Sequence, residues 1–231
     1  MDRLPDGPTE FTLGRSVEGR QIRCLVLGSG PDTVMVLGSI HGNEAASGRL
    51  VDALANHLQA HPEALQGCRA VLVAEANPDG VARHSRYNAR GIDLNRNFPS
   101  INHENGPLSG DAPLTEPESK AIARLIDRCA PVRILTVHAP LGCVDFDGPA
   151  DGLALAISSA CGLRLSRIGG QPGSLGSFAG EDRGIPVVTL ELSRTDGRRD
   201  GKGLWSRYGP ALLAALEGGE PLPDASMCPA N

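Results

Sequence analysis

The chain has 231 residues, enough for one sizeable hydrophobic core or at most two small domains. A formal net charge of −5, with no basic cluster interleaved with aromatics, gives no long-range attraction to nucleic acid or to an anionic membrane. Met1-Asp2-Arg3-Leu4-Pro5-Asp6-Gly7 lacks the apolar stretch of a signal peptide, and no apolar run approaches bilayer-spanning length. The expectation is a cytoplasmic protein, monomer or homodimer, without a nucleic-acid or membrane partner. Cysteines 24, 68, 129, 143, 161 and 228 form no C-x-x-C pair and several lie in apolar runs, so they are expected to be reduced packing residues.

Strand and helix patterns alternate along the chain. Gln21 to Gly28 and Thr33 to Ser39 have strand character, Ala45 to Ala60 reads as a helix, and Arg69 to Glu75 as another strand before a turn at Asn77-Pro78-Asp79-Gly80. Residues 82 to 116 are polar and lack periodicity, and so long an irregular segment inside a compact domain is usually functional. A helix then starts at Glu116-Pro117-Glu118-Ser119, with proline and acids in its first turn, and runs to about Cys129. Val132 to His138 is a strand, about Ala150 to Cys161 a helix, and Leu163 to Ile168 a strand. Gly169 to Gly184 is a glycine-rich loop with room for a short helix, Pro186 to Leu192 the last strand, and Ser206 to Glu217 the last helix. The pattern predicts one α/β domain over 1–217, a mixed eight-stranded-type sheet flanked by helices, with a mobile tail over 218–231.

Val34-Met35-Val36-Leu37-Gly38-Ser39-Ile40 runs straight into His41-Gly42-Asn43-Glu44, with a helical pattern behind it. A histidine and a carboxylate three residues apart at a strand-to-helix turn can grip one metal ion from one side. Gly42 suits a sharp turn there and Asn43 suits a helix cap. A catalytic zinc takes three protein ligands and keeps a position for water. His138, at the end of the apolar run Ile134-Leu135-Thr136-Val137, supplies a third. Both histidines end strands, where ligands gather in open α/β sheets. The combination reads as a zinc hydrolase. His-x-x-Glu recurs by chance, so the weight rests on what accompanies it: the dense segment from Arg86 to Pro99 and the strand ending in Glu191.

Those features occur in the order and contexts of the zinc carboxypeptidases, and the chain resembles that family over nearly its whole length. Its segments Arg86-x-Asn88-Ala89-x-Gly91-Ile92-Asp93-Leu94-Asn95-Arg96-Asn97-Phe98-Pro99, His138-Ala139-Pro140-Leu141-Gly142 and Pro172 to Gly180 are similar to those of the small bacterial, murein-peptide-cleaving branch. The resemblance implies one Zn2+ ion held by His41, Glu44 and His138, and Glu191 as general base. It selects Arg86, over the nearby Arg83 and Arg90, to stabilise the oxyanion, and makes Asn95 and Arg96 the clamp on the substrate carboxylate. Asp93 is expected to orient a histidine ligand.

The implied substrate is a small murein peptide, cut at its γ-D-glutamyl–meso-diaminopimelate bond. Asp145 or Asp147 is the expected partner of the distal ammonium, and the backbone amides of Gly173 to Gly180, or Arg183, that of the distal carboxylate. The larger carboxypeptidases close a mobile tyrosine over bound substrate. Neither Tyr87 nor Tyr208 lies in a matching segment, and Phe178 has no hydroxyl. Three alternatives stand beside this reading: an N-acyl amino acid deacylase of the desuccinylase and aspartoacylase type, a general C-terminal carboxypeptidase, and a non-catalytic peptide-binding module.

Overall fold

The computed structural model describes Leu4, residues 7–65 and residues 67–218. The expected tail beyond Gly218 lies outside the described residues. Eight strands form one mixed sheet: β1 (Thr9–Arg15), β2 (Gln21–Gly28), β3 (Asp32–Leu37), β4 (Cys68–Val73), β5 (Arg133–His138), β6 (Leu141–Asp147), β7 (Arg164–Leu165) and β8 (Val187–Ser193). Their spatial order is β1-β2-β4-β3-β5-β8-β6-β7. The central four, β4, β3, β5 and β8, run parallel, and β2 and β6 join them antiparallel on either side. Parallel strands covered on both faces are continuously apolar. Val34, Met35, Val36 and Leu37 of β3 are accordingly all buried.

Helices α1 (Ala45–Ala60), α4 (Asp151–Cys161) and α5 (Gly201–Glu217) cover one face. Their buried rows, such as Leu50, Leu54 and Leu58 on α1, follow the helical period. On the other face, α3 (Pro117–Cys129) packs with Phe98 and Phe178 of the irregular segments. No helix among the described residues is long and apolar enough to cross a membrane, and the five described cysteines are free.

Several local expectations change. The turn at residues 77–80 opens a short helix, α2 (Pro78–Arg83), because the Asn77 side chain caps it by accepting from Gly80 N at 2.9 Å. The strand expected over 163–168 shrinks to the two residues of β7. Two strands went unanticipated: edge strand β1, and β6, which turns back immediately after His138. The last helix starts five residues early, at Gly201, where Asp200 accepts from Gly203 N at 2.8 Å.

A buried carboxylate ties α5 to the end of β8. Asp196 accepts from the Tyr208 hydroxyl at 2.6 Å and pairs with Arg199 at 2.5 Å and Arg207 at 3.2 Å. Burial pushes its pKa up, but the Tyr208 hydrogen bond and the two guanidinium groups outweigh that and hold it below the ordinary value. A carboxyl depressed in the folded state stabilises above its unfolded pKa of about 3.9, and that contribution is lost as pH falls through the lower, folded value. Asp196→Asn is therefore expected to lower Tm at pH 7 by about 5 °C, equivalent to roughly 2 kcal/mol. Thermal unfolding at pH 7 and at pH 3 checks this: the deficit should shrink at pH 3, and equal deficits would contradict it.

Candidate active site

Three adjacent parallel strands deliver the central groups. The turn after β3 carries His41 and Glu44, β5 ends on His138, and His138 lies in register with Glu191 of β8. At this turn Gly42 serves a close approach: a Cβ there would lie 1.9 Å from the Gly80 carbonyl carbon of α2. The residue capping α1 is Glu44 rather than Asn43, and its carboxylate makes no capping bond. It is directed at the two histidines instead.

His41 Nδ1 lies 2.9 Å from Glu44 Oε1 and 3.2 Å from His138 Nδ1, which is itself 3.1 Å from Glu44 Oε2. A tetrahedral zinc with bonds of about 2.1 Å would separate its donors by about 3.4 Å, so the three atoms need little adjustment to share one ion. Two imidazole nitrogens and a carboxylate aimed at one point require a cation or a proton between them. Among the described residues this is the only cluster of three such groups close enough to hold a metal. His41 Nε2 donates to Asp93 Oδ1 at 3.1 Å, which leaves Nδ1 to act as a ligand. Burial alone would raise the Glu44 carboxyl, but the adjoining His138 and His41 imidazoles lower it to about 2. The donor set fits a zinc ion.

The irregular segment 82–116 is ordered by side chains that replace regular backbone pairing. Asn88 Oδ1 accepts from Arg90 N at 3.0 Å and Ile92 N at 3.1 Å, closing the turn that follows Arg86. Asn97 is fully buried; its amide donates to Ser109 O and Thr115 Oγ1, while its carbonyl accepts from Glu116 N and Ser119 Oγ. Asp93 accepts from Arg86 Nε at 2.9 Å and from Asn95 N at 2.9 Å, so one carboxylate orients a metal ligand, a guanidinium group and the Asn95 backbone. Leu175 N donates to Asn95 Oδ1 at 2.9 Å, which ties this segment to the glycine-rich loop.

Arg86, Asn95, Arg96 and Glu191 line one cavity of about 350 Å³ with the metal triad. Glu191 accepts from Leu141 N at 3.2 Å, and burial pushes its carboxyl above the ordinary range. Strand alternation carries the lining deeper. Below His138 and Glu191 come the paired Thr136 and Thr189, and Asp145 and Asp147 of the neighbouring β6 complete that wall. Thr136 and Thr189 escaped notice in the sequence, yet each stands two residues before a site residue on the same face of its strand.

The two aspartates lie on β6. Asp145 accepts from Ile168 N at 2.7 Å, whereas Asp147 Oδ1 is buried without a hydrogen-bond partner among the described residues. Burial, Asp145 and Glu181 push the Asp147 pKa up to about 6. The glycine-rich loop winds into a π-helical turn, Gly176–Glu181, against this side chain. A Cβ on Gly176 would lie 1.9 Å from Asp147 Oδ2, so only glycine admits the carboxylate there. Arg183 is not brought to the cavity: it pairs with Asp127 at 2.5 Å and lies over the Phe178 ring at 4.0 Å. Phe178 is itself buried, stacked on Phe98. Gln171 and Ser174 of the loop line the cavity; Ser174 falls in the segment singled out in the sequence, Gln171 just before it.

The family model described as zinc carboxypeptidase matches residues 2–140. Murein peptide amidase A of Escherichia coli (strain K12) is 33% identical over 176 residues, covering 68% of this chain and 70% of that protein. Murein peptide amidase A of Vibrio campbellii is 30% identical over 176 residues, covering 68% of each. The crystal structure of a murein-tripeptide amidase from Escherichia coli O157 superposes with a TM-score of 0.70 at 26% identity, covering 93% of both chains.

Proposed function

The chain belongs to the zinc carboxypeptidase family, and from that premise we propose that it hydrolyses the γ-D-glutamyl–meso-diaminopimelate bond of free murein peptides in the cytoplasm, as a step of peptidoglycan recycling. It is a hydrolytic metallopeptidase with a one-zinc His-Glu-His site. Zinc bound there supplies Lewis acidity, polarising a carbonyl and making water nucleophilic at neutral pH.

The residues divide the remaining work. Glu191 takes the proton of the attacking water and hands it to the leaving amine, and its burial makes it a stronger base than an exposed carboxylate. Arg86, held by Asp93 along one edge, offers its remaining N–H groups to the oxyanion. Asn95 and Arg96 take the carboxylate next to the scissile amide; the Asn95 carbonyl is already used by Leu175 N, which leaves the amide nitrogen to donate. The buried Asp147 Oδ1, without a hydrogen-bond partner among the described residues, is the observation that carries the substrate assignment. An ammonium group on the substrate would satisfy it and offset its repulsion from Asp145 and Glu181. With Arg183 engaged elsewhere, the distal carboxylate falls to Gln171 and the loop amides that line the same cavity.

Steady-state kinetics on L-Ala-γ-D-Glu peptides ending in meso-diaminopimelate, lysine or norleucine test this reading. The diaminopimelate peptide should be preferred, and Asp147→Ala should lower its kcat/KM by about 10²-fold, leaving the norleucine peptide nearly unaffected. An Asp147→Ala protein with an unchanged preference would remove Asp147 from recognition. Faster turnover of N-acetylaspartate or N-succinylglutamate than of any tripeptide would replace the reading with a deacylase.

A further inference from the structure

At the far end of α1, about 20 Å along the helix from Glu44, lies a second group of metal-ligating side chains. His57 occupies the last turn of α1 and His61 is its C-cap, with His61 N donating to His57 O at 2.8 Å. Their ring centroids lie 4.6 Å apart with the planes inclined 33° to each other. The ring of Trp205 of α5, the one tryptophan in the chain, also lies 4.6 Å from the His57 ring, inclined 33° to it. The histidines face a groove of about 690 Å³ between α1 and α5.

Histidines four residues apart share a helix face, the spacing by which a helix presents two imidazoles to one metal ion. Here both rings are already side by side, so binding forfeits little side-chain entropy. Glu63 lies 3.1 Å from His61 Nδ1. A carboxylate accepting the Nδ1 proton leaves the Nε2 lone pair outward, the arrangement that supports metal-binding histidines.

We propose that His57 and His61, with Glu63 orienting His61, form a second site for a borderline divalent transition metal, separate from the catalytic centre. Imidazole pairs without thiolates suit Ni2+, Cu2+ and Zn2+ rather than Mg2+ or Ca2+. Water completes the coordination, since His61 and Glu63 have side-chain exposures of 54% and 65%.

Trp205 reports on the site directly, because paramagnetic Ni2+ held by the adjacent His57 quenches its emission. Zinc-loaded protein titrated with NiCl2 should show saturable quenching at one equivalent, while MgCl2 has no effect. His61→Ala, a change at an exposed helix end, should abolish the saturable phase, and Glu63→Gln should weaken Ni2+ binding by about tenfold. Glu44→Gln, which breaks the metal triad, should keep it. Absence of saturable quenching in the wild type, or the same quenching in His61→Ala, would overturn the proposal.

Discussion

Replacing Glu191 with glutamine is expected to lower kcat by about 10²- to 10⁴-fold, the usual contribution of a positioned general base. Glutamine keeps the size of the side chain and a carbonyl oxygen for the Leu141 N–H, which donates to Glu191 at 3.2 Å. The cavity and the metal triad should therefore survive, and KM and zinc content should stay close to wild type. What disappears is the capacity to accept a proton. The carboxylate lies in register with His138 on the neighbouring strand, where burial raises its proton affinity. Parallel measurement of kcat, KM and bound zinc separates loss of the base from loss of the site. A Glu191→Gln enzyme with near-normal kcat would exclude the carboxylate as the base.

Removing a metal ligand is expected to do more. His138→Ala deletes one of three converging donors and leaves Glu44 with one hydrogen-bonding histidine in place of two. Zinc content should drop from one equivalent to near zero, and kcat/KM should fall by at least about 10³-fold, matching several kcal/mol of lost Lewis-acid stabilisation. Stability gives an independent reading. A ion that binds only the folded state raises Tm, so zinc should stabilise the wild type against a chelated control and do nothing for His138→Ala. A variant that retained one zinc and its activity would show that the triad is not the metal site.

The parts of this architecture that follow from periodicity were legible in the sequence. The apolar runs of β3, β5 and β8 announced buried strands, and two of the three end at or shortly before metal-site residues. β6 escaped because Leu141 to Asp147 carries two acids and a glycine, a composition that reads as loop. Its aspartates point into a polar cavity where a core strand would place apolar side chains. β7 fell short of its apolar pattern because only Cys143 and Val144 offer it pairing partners.

The site divided along similar lines. His41, Glu44 and His138 needed only strand ends to bring them together, whereas Arg183 was chosen by its position in a glycine-rich loop. Nothing local in the sequence reveals that Asp127, 56 residues earlier, holds it away from the cavity. The reason for Gly42 was likewise hidden, since the backbone of α2 that excludes a side chain there is distant in sequence.

The central claim is metal-dependent amide hydrolysis of a murein tripeptide, and release of diaminopimelate from L-Ala-γ-D-Glu-meso-diaminopimelate tests it most directly. Zinc-loaded wild type should release diaminopimelate stoichiometrically, chelator-stripped protein should not until zinc is restored, and zinc-loaded Glu191→Gln should remain nearly inactive. Folded, zinc-loaded wild type that leaves the tripeptide intact, or stripped protein that cleaves it equally well, would contradict the account.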